Sequence, residues 1–249
     1  MLIFLTAIAV FYACDDLTTI KKTMNKSNFM ILVFCTALLC TGCINKVEKT
    51  DPDPKARAKT TSGTQPPHSS RTKVITVYLQ PYNGFPEDQL LVLQADVQNC
   101  LDTLIQEKKF KVKTLNNRQL PAYCYYTPRN RYRADSIIVY QTTFSNSNYI
   151  VGVLNTDISC SAHGYADFGI LGLGSCPGKT AVVSNHRVRN KSMFYKVAVH
   201  EFLHTLGMPH CSEDDRSCYM CDADGTPQLE KEVRLCESCR ETIVGLLED

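Results

Sequence analysis

A β-sheet with helices packed on it, α+β in class with α/β as the alternative, is what the sequence predicts. Three observations carry this. Val74–Leu79 is a β-branched run with a period of two. Leu90, Leu93, Val97, Leu101 and Leu104 recur at helical spacing. Tyr195, Ala198, Phe202 and Leu206 mark the apolar face of a second helix. Strands that alternate with helices imply a sheet carrying helices on its surface.

The elements follow in order. The strand Val74–Leu79 is closed by Pro81, Asn83 and Gly84, all turn residues. The helix after it runs from Glu87 to about Glu107. Phe110–Leu115 alternates again and reads as a strand, and Ala134–Phe144 predicts a short helix with Ile137, Ile138 and Tyr140 inward. Tyr149–Leu154 and Thr180–Val188 predict further strands, and Met193–Leu206 predicts the second strong helix. Gly and Ser cluster in Cys160–Gly178, so a loop is expected there. There is no internal repeat.

Composition narrows the function. The chain has 249 residues, with Lys+Arg 27 against Asp+Glu 25 and a net charge of +2. A phosphate-binding surface shows as a basic excess, so nucleic acid is not an expected partner. With 21% charged and 44% hydrophobic residues, the chain is neither disordered nor a multi-span membrane protein. Its front end reads as an address. Met1–Cys14 and Phe29–Leu39 are apolar but short of the roughly 20 residues a spanning helix needs. From Met24 the sequence has a basic start at Lys26, the apolar stretch Phe29–Leu39 and small residues before a cleavage point, the parts of a secretory signal. Cys40-Thr41-Gly42-Cys43 resembles a bacterial lipoprotein lipobox, with Cys40 where Leu is commoner, which implies a lipid on Cys43 and a place in the bacterial cell envelope. A plain cleaved signal, with Cys43 an ordinary thiol, is the alternative. The expected organisation is therefore 1–42 upstream extension and signal, 43–72 lipidated terminus and tether, and 73–249 one folded domain.

The chemistry concentrates between His200 and Cys239. His200-Glu201-Phe202-Leu203-His204 places two imidazoles at i and i+4, on one face of a helix, where both reach one ion. Glu201, beside the first ligand, is placed to act on a metal-activated water as general base and then acid. Gly207 can end the helix in a left-handed residue and Pro209 stops it from continuing, so the chain can turn and bring His210 back as third ligand. A catalytic zinc site needs three such ligands and an open position.

This longer pattern is the metzincin signature. With Cys211 after the third histidine, Cys218-Tyr219-Met220, Cys236-Glu237-Ser238-Cys239, and upstream Gly172-Leu173-Gly174 and Pro177–Ser184, residues 73–249 resemble the archaemetzincins. The resemblance implies a metzincin-like fold: a twisted mixed sheet with a backing helix, an active-site helix and a small C-terminal subdomain. It implies a zinc peptidase with two zinc ions, acting on a peptide or protein substrate. His200, His204 and His210 would hold the catalytic zinc, Met220 would lie in the turn beneath it, and Cys211, Cys218, Cys236 and Cys239 would hold a structural zinc. Thr180–Val188 would lie at the edge of the cleft and pair with extended peptide. Two features depart from the family: six residues, Ser212–Ser217, separate Cys211 from Cys218 where four are usual, and Cys221 follows Met220. Cys221 is thus an alternative to Cys218. A pair of disulfides is the alternative to the four-cysteine zinc site.

Other residues are weaker candidates. Cys160 and Cys176 could pair or remain buried thiols. His163 and His186 could meet substrate or be local hydrogen-bonding groups. Tyr219 could stabilise an oxyanion, and Arg129–Arg133 reads as a solvated basic run. A monomer is expected. A catalytically silent, zinc-stabilised peptide-binding module is the competing function, against which the intact Glu201 argues.

Overall fold

The computed structural model describes residues 74–248 except 107, 224 and 226. Cys43 and the segments 1–42 and 43–72 lie outside the described residues. The fold is α+β. Nine strands form two sheets among the described residues: β1 Ile75–Pro81, β2 Phe110–Thr114, β3 Tyr125–Tyr126, β4 Arg131–Arg133, β5 Tyr149–Leu154, β6 Ile158–Ala162, β7 Tyr165–Ile170, β8 Gly172–Gly174 and β9 Thr180–Ser184. The helices are α1 Glu87–Leu104, α2 Ala134–Thr142, α3 Phe194–Thr205 and α4 Glu237–Glu248.

The main sheet has the order β2-β1-β5-β9-β8. Its first four strands are parallel and β8 is antiparallel to β9. Alternation along the strands sorts side chains to two faces. Val77, Leu79, Val151, Val153, Ala181 and Val183 face one way, into the principal core with α1 and α3. Leu154 and Val182 face the other way, into a smaller core with Ile137 and Ile138 of α2. Every residue of β9 is buried, as a parallel strand covered on both faces must be. Tyr140 of α2 is half-buried against the smaller core.

Several boundaries move for identifiable reasons. Helix α1 ends at Leu104 because Ile105 leaves helical geometry and goes into the core while its N–H still reaches the Leu101 carbonyl. Strand β9 stops at Ser184: the Val188 N–H closes a turn onto the Asn185 carbonyl, and Val188 packs in the principal core. The expected loop Cys160–Gly178 is largely strand. Its first part forms the β6–β7 hairpin of a second sheet, ordered β3-β4-β6-β7, and Gly172–Gly174 becomes β8. The hairpin turns at His163 and Gly164, both at positive φ, so the turn residues read as loop while their flanks pair.

Strand β9 is not the sheet edge that the resemblance implied. It pairs with β5 on one side and β8 on the other, and β8 is the edge. A single strand of three residues, two of them glycine, offers no apolar pattern to read. The basic run also differs from expectation: Arg131 and Arg133 are mostly buried and ion-paired with Asp157, Asp167 and Asp135.

Helix α3 is the central support. Phe202 is 0% exposed, and its ring stands edge-on to Phe110 at 5.9 Å and to Tyr149 at 5.6 Å. Ala198 is buried beside it, and Tyr195 and Leu206 pack partly buried on the same core. Lys196 on this helix is also buried; its ammonium donates to the Leu229 and Glu232 carbonyls and so pins the C-terminal segment. Phe202→Ala should lower unfolding free energy by about 3–5 kcal/mol, the usual range for a buried aromatic. Denaturant unfolding of both proteins measures this, and a loss below about 1 kcal/mol would contradict the packing described.

Candidate metal centres

The end of α3 assembles the first site. Gly207 takes φ +102, and the Gly207 and Met208 N–H groups bond back to the His204 and Leu203 carbonyls. The chain then turns, and His210 returns toward the helix. His200 Nε2 and His204 Nε2 are 3.0 Å apart, and His204 Nε2 and His210 Nε2 are 3.2 Å apart.

Two of these imidazoles are fixed from behind. His200 Nδ1 lies 2.6 Å from the Tyr219 carbonyl and His204 Nδ1 lies 2.7 Å from the Met208 carbonyl. A carbonyl only accepts, so each Nδ1 carries the proton and each Nε2 keeps its lone pair. His210 Nδ1 faces the Asp222 carboxylate at 3.5 Å. Burial and the neighbouring imidazoles His204 and His210 hold His200 well below its usual pKa, which keeps it neutral. Three convergent lone pairs repel one another unless a cation lies between them. Tetrahedral nitrogen ligands of zinc stand about 3.3 Å apart, close to the separations found, so the residues fit the metal.

Glu201 lies against β8 and is 9% exposed. Burial pushes its carboxyl up to about 8, partly offset by a hydrogen bond from the Gly174 N–H. This contact explains both glycines. A Cβ at position 172 would stand 2.5 Å from Glu201 Cγ, and one at 174 would stand 2.5 Å from the Glu201 carbonyl oxygen and 2.9 Å from His204 Cβ. Only glycine lets the strand approach the helix this closely.

The four cysteines form a second cluster. Their sulfur atoms all lie within 4.8 Å of one another, and Cys211 and Cys236 Sγ are 3.6 Å apart. Tetrahedral thiolates around zinc stand about 3.8 Å apart, so this set fits as well. All nine described cysteines are free thiols, Cys160 and Cys176 included. Cys218 Sγ accepts the Cys236 N–H, whereas Cys221 stands outside the group with its sulfur toward the Asp222 carbonyl. Burial raises the Cys218 thiol to about 11, while hydrogen bonds from Cys239 and the neighbouring thiols outweigh burial at Cys236 and lower it. The two clusters share one support. Met220 is 0% exposed, its carbonyl accepts the Cys211 N–H, and the preceding carbonyl, of Tyr219, orients His200.

Other candidates fall elsewhere. The Tyr219 hydroxyl is engaged by Cys100 and Tyr195, and its pKa rises through burial first. His163 meets the Phe168 ring edge-on at the hairpin turn, and His186 lines a separate concavity. The residues that sequence reasoning missed, Met208, Gly174 and Asp222, act through a carbonyl, an N–H and a carboxylate whose partners lie across the fold. Only the Gly172-Leu173-Gly174 spacing gave a signal.

No family model matches the chain. In sequence it is similar to the archaemetzincin of Natronomonas pharaonis, 28% identical over 145 residues that cover 52% of this chain and 80% of the relative. The archaemetzincin of Nanoarchaeum equitans is 25% identical over 146 residues, 58% of this chain and 81% of the relative. Among solved structures, the archaemetzincin of Methanopyrus kandleri superposes with a TM-score of 0.60 at 23% identity, covering 73% of this chain and 99% of that one. The Archaeoglobus fulgidus archaemetzincin, solved with malonate, gives 0.53 at 24% identity, covering 67% and 99%.

Elemental analysis should find two zinc ions per chain, with Cys218→Ser losing one and Cys221→Ser keeping both. The reverse pattern would reassign the fourth thiolate. Metal-free protein should also lose stability as pH rises from about 6.5 to 8. Glu201, at about 8, and Glu232, raised by burial to about 7, have folded-state values above those of unfolded glutamate. Their stabilising contribution is full below the unfolded value and is lost as pH rises through the folded one. The window starts near 6.5 because His200, depressed, contributes the opposite slope below it. Thermal melting of chelated protein measures this; in Glu201→Gln the slope should be smaller. Through its likeness in sequence and its α+β fold with two ligand clusters, the chain is similar to archaemetzincins.

Proposed function

We propose that this chain is an archaemetzincin-type zinc metallopeptidase that hydrolyses peptide bonds. The observation that carries the reading is the convergence of three imidazole Nε2 atoms beside a buried carboxylate and an open strand edge. His200, His204 and His210 would hold the catalytic zinc, and Cys211, Cys218, Cys236 and Cys239 a structural one. Zinc at the first site would supply Lewis-acid activation of water and polarisation of the scissile carbonyl. Glu201 takes the proton that the attacking water gives up and returns it to the leaving amine. Burial raises the carboxyl above its ordinary range, which favours the half in which it holds the proton for the leaving amine. The Gly174 N–H keeps the carboxylate oriented while it does so.

Strand β8 supplies the track for substrate. Leu171 and Ser175 turn their backbone groups to β9, so by alternation Gly172 and the Gly174 carbonyl face the open edge, while the Gly174 N–H is taken by Glu201. An extended peptide added there would lie across Glu201. The chain's expected place is the bacterial cell envelope, tethered by lipid on Cys43, and the support for it is the Met24–Cys43 sequence.

Glu201→Gln should reduce peptide hydrolysis about 10²–10⁴-fold, the scale of general acid–base catalysis, with zinc content intact. Unchanged turnover in the zinc-loaded variant would refute Glu201 as the base, and no turnover in the zinc-loaded wild type would leave the peptide-binding alternative. Fractionation of cells expressing wild type and Cys43→Ala tests the anchor: the wild type should be in the membrane fraction and the variant released. Equal solubility of the two would refute lipidation.

A further inference from the structure

The second sheet and the loops beside it enclose a concavity of about 840 Å³, lined among others by Tyr125, Arg129, Tyr132, Asn155, Asp157 and His186. It lies on the side to which the N-terminal end of β8 leads, through β7 of the second sheet. Gly172 lies against Glu201, and two residues earlier Ile170 pairs with Ile158, the neighbour of Asp157. The chain bends at Leu171, so at the rise of an extended strand that pair is at most about 7 Å from Gly172. A peptide added antiparallel to β8, the more stable ladder, would run with its carboxyl-terminal side toward the concavity. It would arrive there about three residues beyond the residue opposite Gly172.

Arg129 and Asp157 line this concavity, and guanidinium groups outnumber carboxylates in the cluster around it. Asp157 is already engaged: Arg187 clamps it through Nε at 2.6 Å and Nη2 at 2.8 Å, and Arg131 Nε stands 3.3 Å away. Asp167 is shared by Arg129, Arg131 and Arg133 at 3.6–3.8 Å, and Arg133 also binds Asp135. Four guanidinium groups thus meet three carboxylates, with the Lys191 ammonium close by on the His186 carbonyl. The arrangement is built in, since a Cβ at Gly169 would stand 2.3 Å from Arg187 Nη2. Arg131 is buried behind the wall, but the Arg129 side chain is 64% exposed on the rim and bound only loosely to Asp167. Its remaining N–H donors can take a carboxylate, and the rings of Tyr125 and Tyr132, 5.0 Å apart, give the alkyl part an apolar wall.

We infer that this concavity is a subsite for a substrate carboxylate on the leaving-group side of the scissile bond, about three residues downstream, with Arg129 as the specificity-determining residue. The inference rests on the peptidase reading. The carboxylate comes from an acidic side chain or from the free end of a short peptide.

Binding tests it without turnover. Labelled peptides are titrated with zinc-loaded, full-length Glu201→Gln protein and followed by fluorescence anisotropy. A single Glu, Gln or Lys is walked through the downstream positions, and peptides ending at the favoured position are compared as free acid and amide. Glu should bind about fivefold tighter than Gln at one position, the scale of a part-exposed ion pair, with Lys weaker. Preference for the free acid over the amide identifies the chain end as a source. Arg129→Ala should bring the Glu peptide down to the Gln level, and Arg129→Lys should restore part of the difference. Equal binding of Glu and Gln at every position, or a preference that survives Arg129→Ala, overturns the subsite and leaves the peptidase reading standing. No binding of any peptide overturns both.

Discussion

Each of the two helical histidines can serve as a ligand only if one of its nitrogens is committed elsewhere. The Tyr219 and Met208 carbonyls meet that constraint by taking the Nδ1 protons of His200 and His204. Both acceptors are backbone atoms, so their positions depend on how the chain is routed. Met208 reaches its place because Gly207 ends α3 in a left-handed turn. Tyr219 reaches its place because the following residue, Met220, is buried in the principal core. A neutral, correctly oriented imidazole is thus a product of the whole C-terminal half of the domain.

The cysteine cluster serves the same end from below. The Met220 carbonyl accepts the Cys211 N–H, and Cys211 follows His210 directly. Cys218 is two residues before Met220, and Cys236 and Cys239 bring the start of α4 to the same point. Closing those four sulfurs on one ion would tie the third histidine and the turn under the site to α4. Lys196 does comparable work from α3, holding the Leu229 and Glu232 carbonyls from a buried position. Between Ser212 and Glu232 the buried core residues are Cys218, Tyr219 and Met220, with Leu229 packed against them, and polar ties and sulfur ligation add to that packing.

On the opposite side of the helix the constraint is steric. Gly172 and Gly174 let β8 lie in contact with Glu201 and His204. The contact dries the carboxylate and raises its pKa, and the same strand leaves one edge open. A side chain at either position would push the strand away and rehydrate the carboxylate, so track and base are set by one contact. The chain enters β8 from β7, which links the site to the second sheet.

Much of this was legible in the sequence. The elements around α1, α2, β5 and α3 followed from apolar periodicity, because each buries a regular face. The three histidines followed from spacing, because i and i+4 share a helix face and a glycine–proline pair forces a turn, while the four cysteines followed from the resemblance, with Cys221 as an alternative to Cys218. Other features were not legible. The strands between Cys160 and Gly178 are rich in Gly and Ser, and pair through backbone groups that composition does not report. The edge position of β8 depends on sheet order, a long-range property. The burial of Arg131 and Arg133 depends on Asp157 and Asp167, which lie far along the chain and become partners only when the second sheet forms. The sequence by itself determined which side chains could bind metal and move a proton, since that is fixed by residue type and local spacing. Only the tertiary structure decided which backbone carbonyls orient those imidazoles, how dry Glu201 is and which strand is exposed, since each depends on contacts between segments that the chain order does not place together.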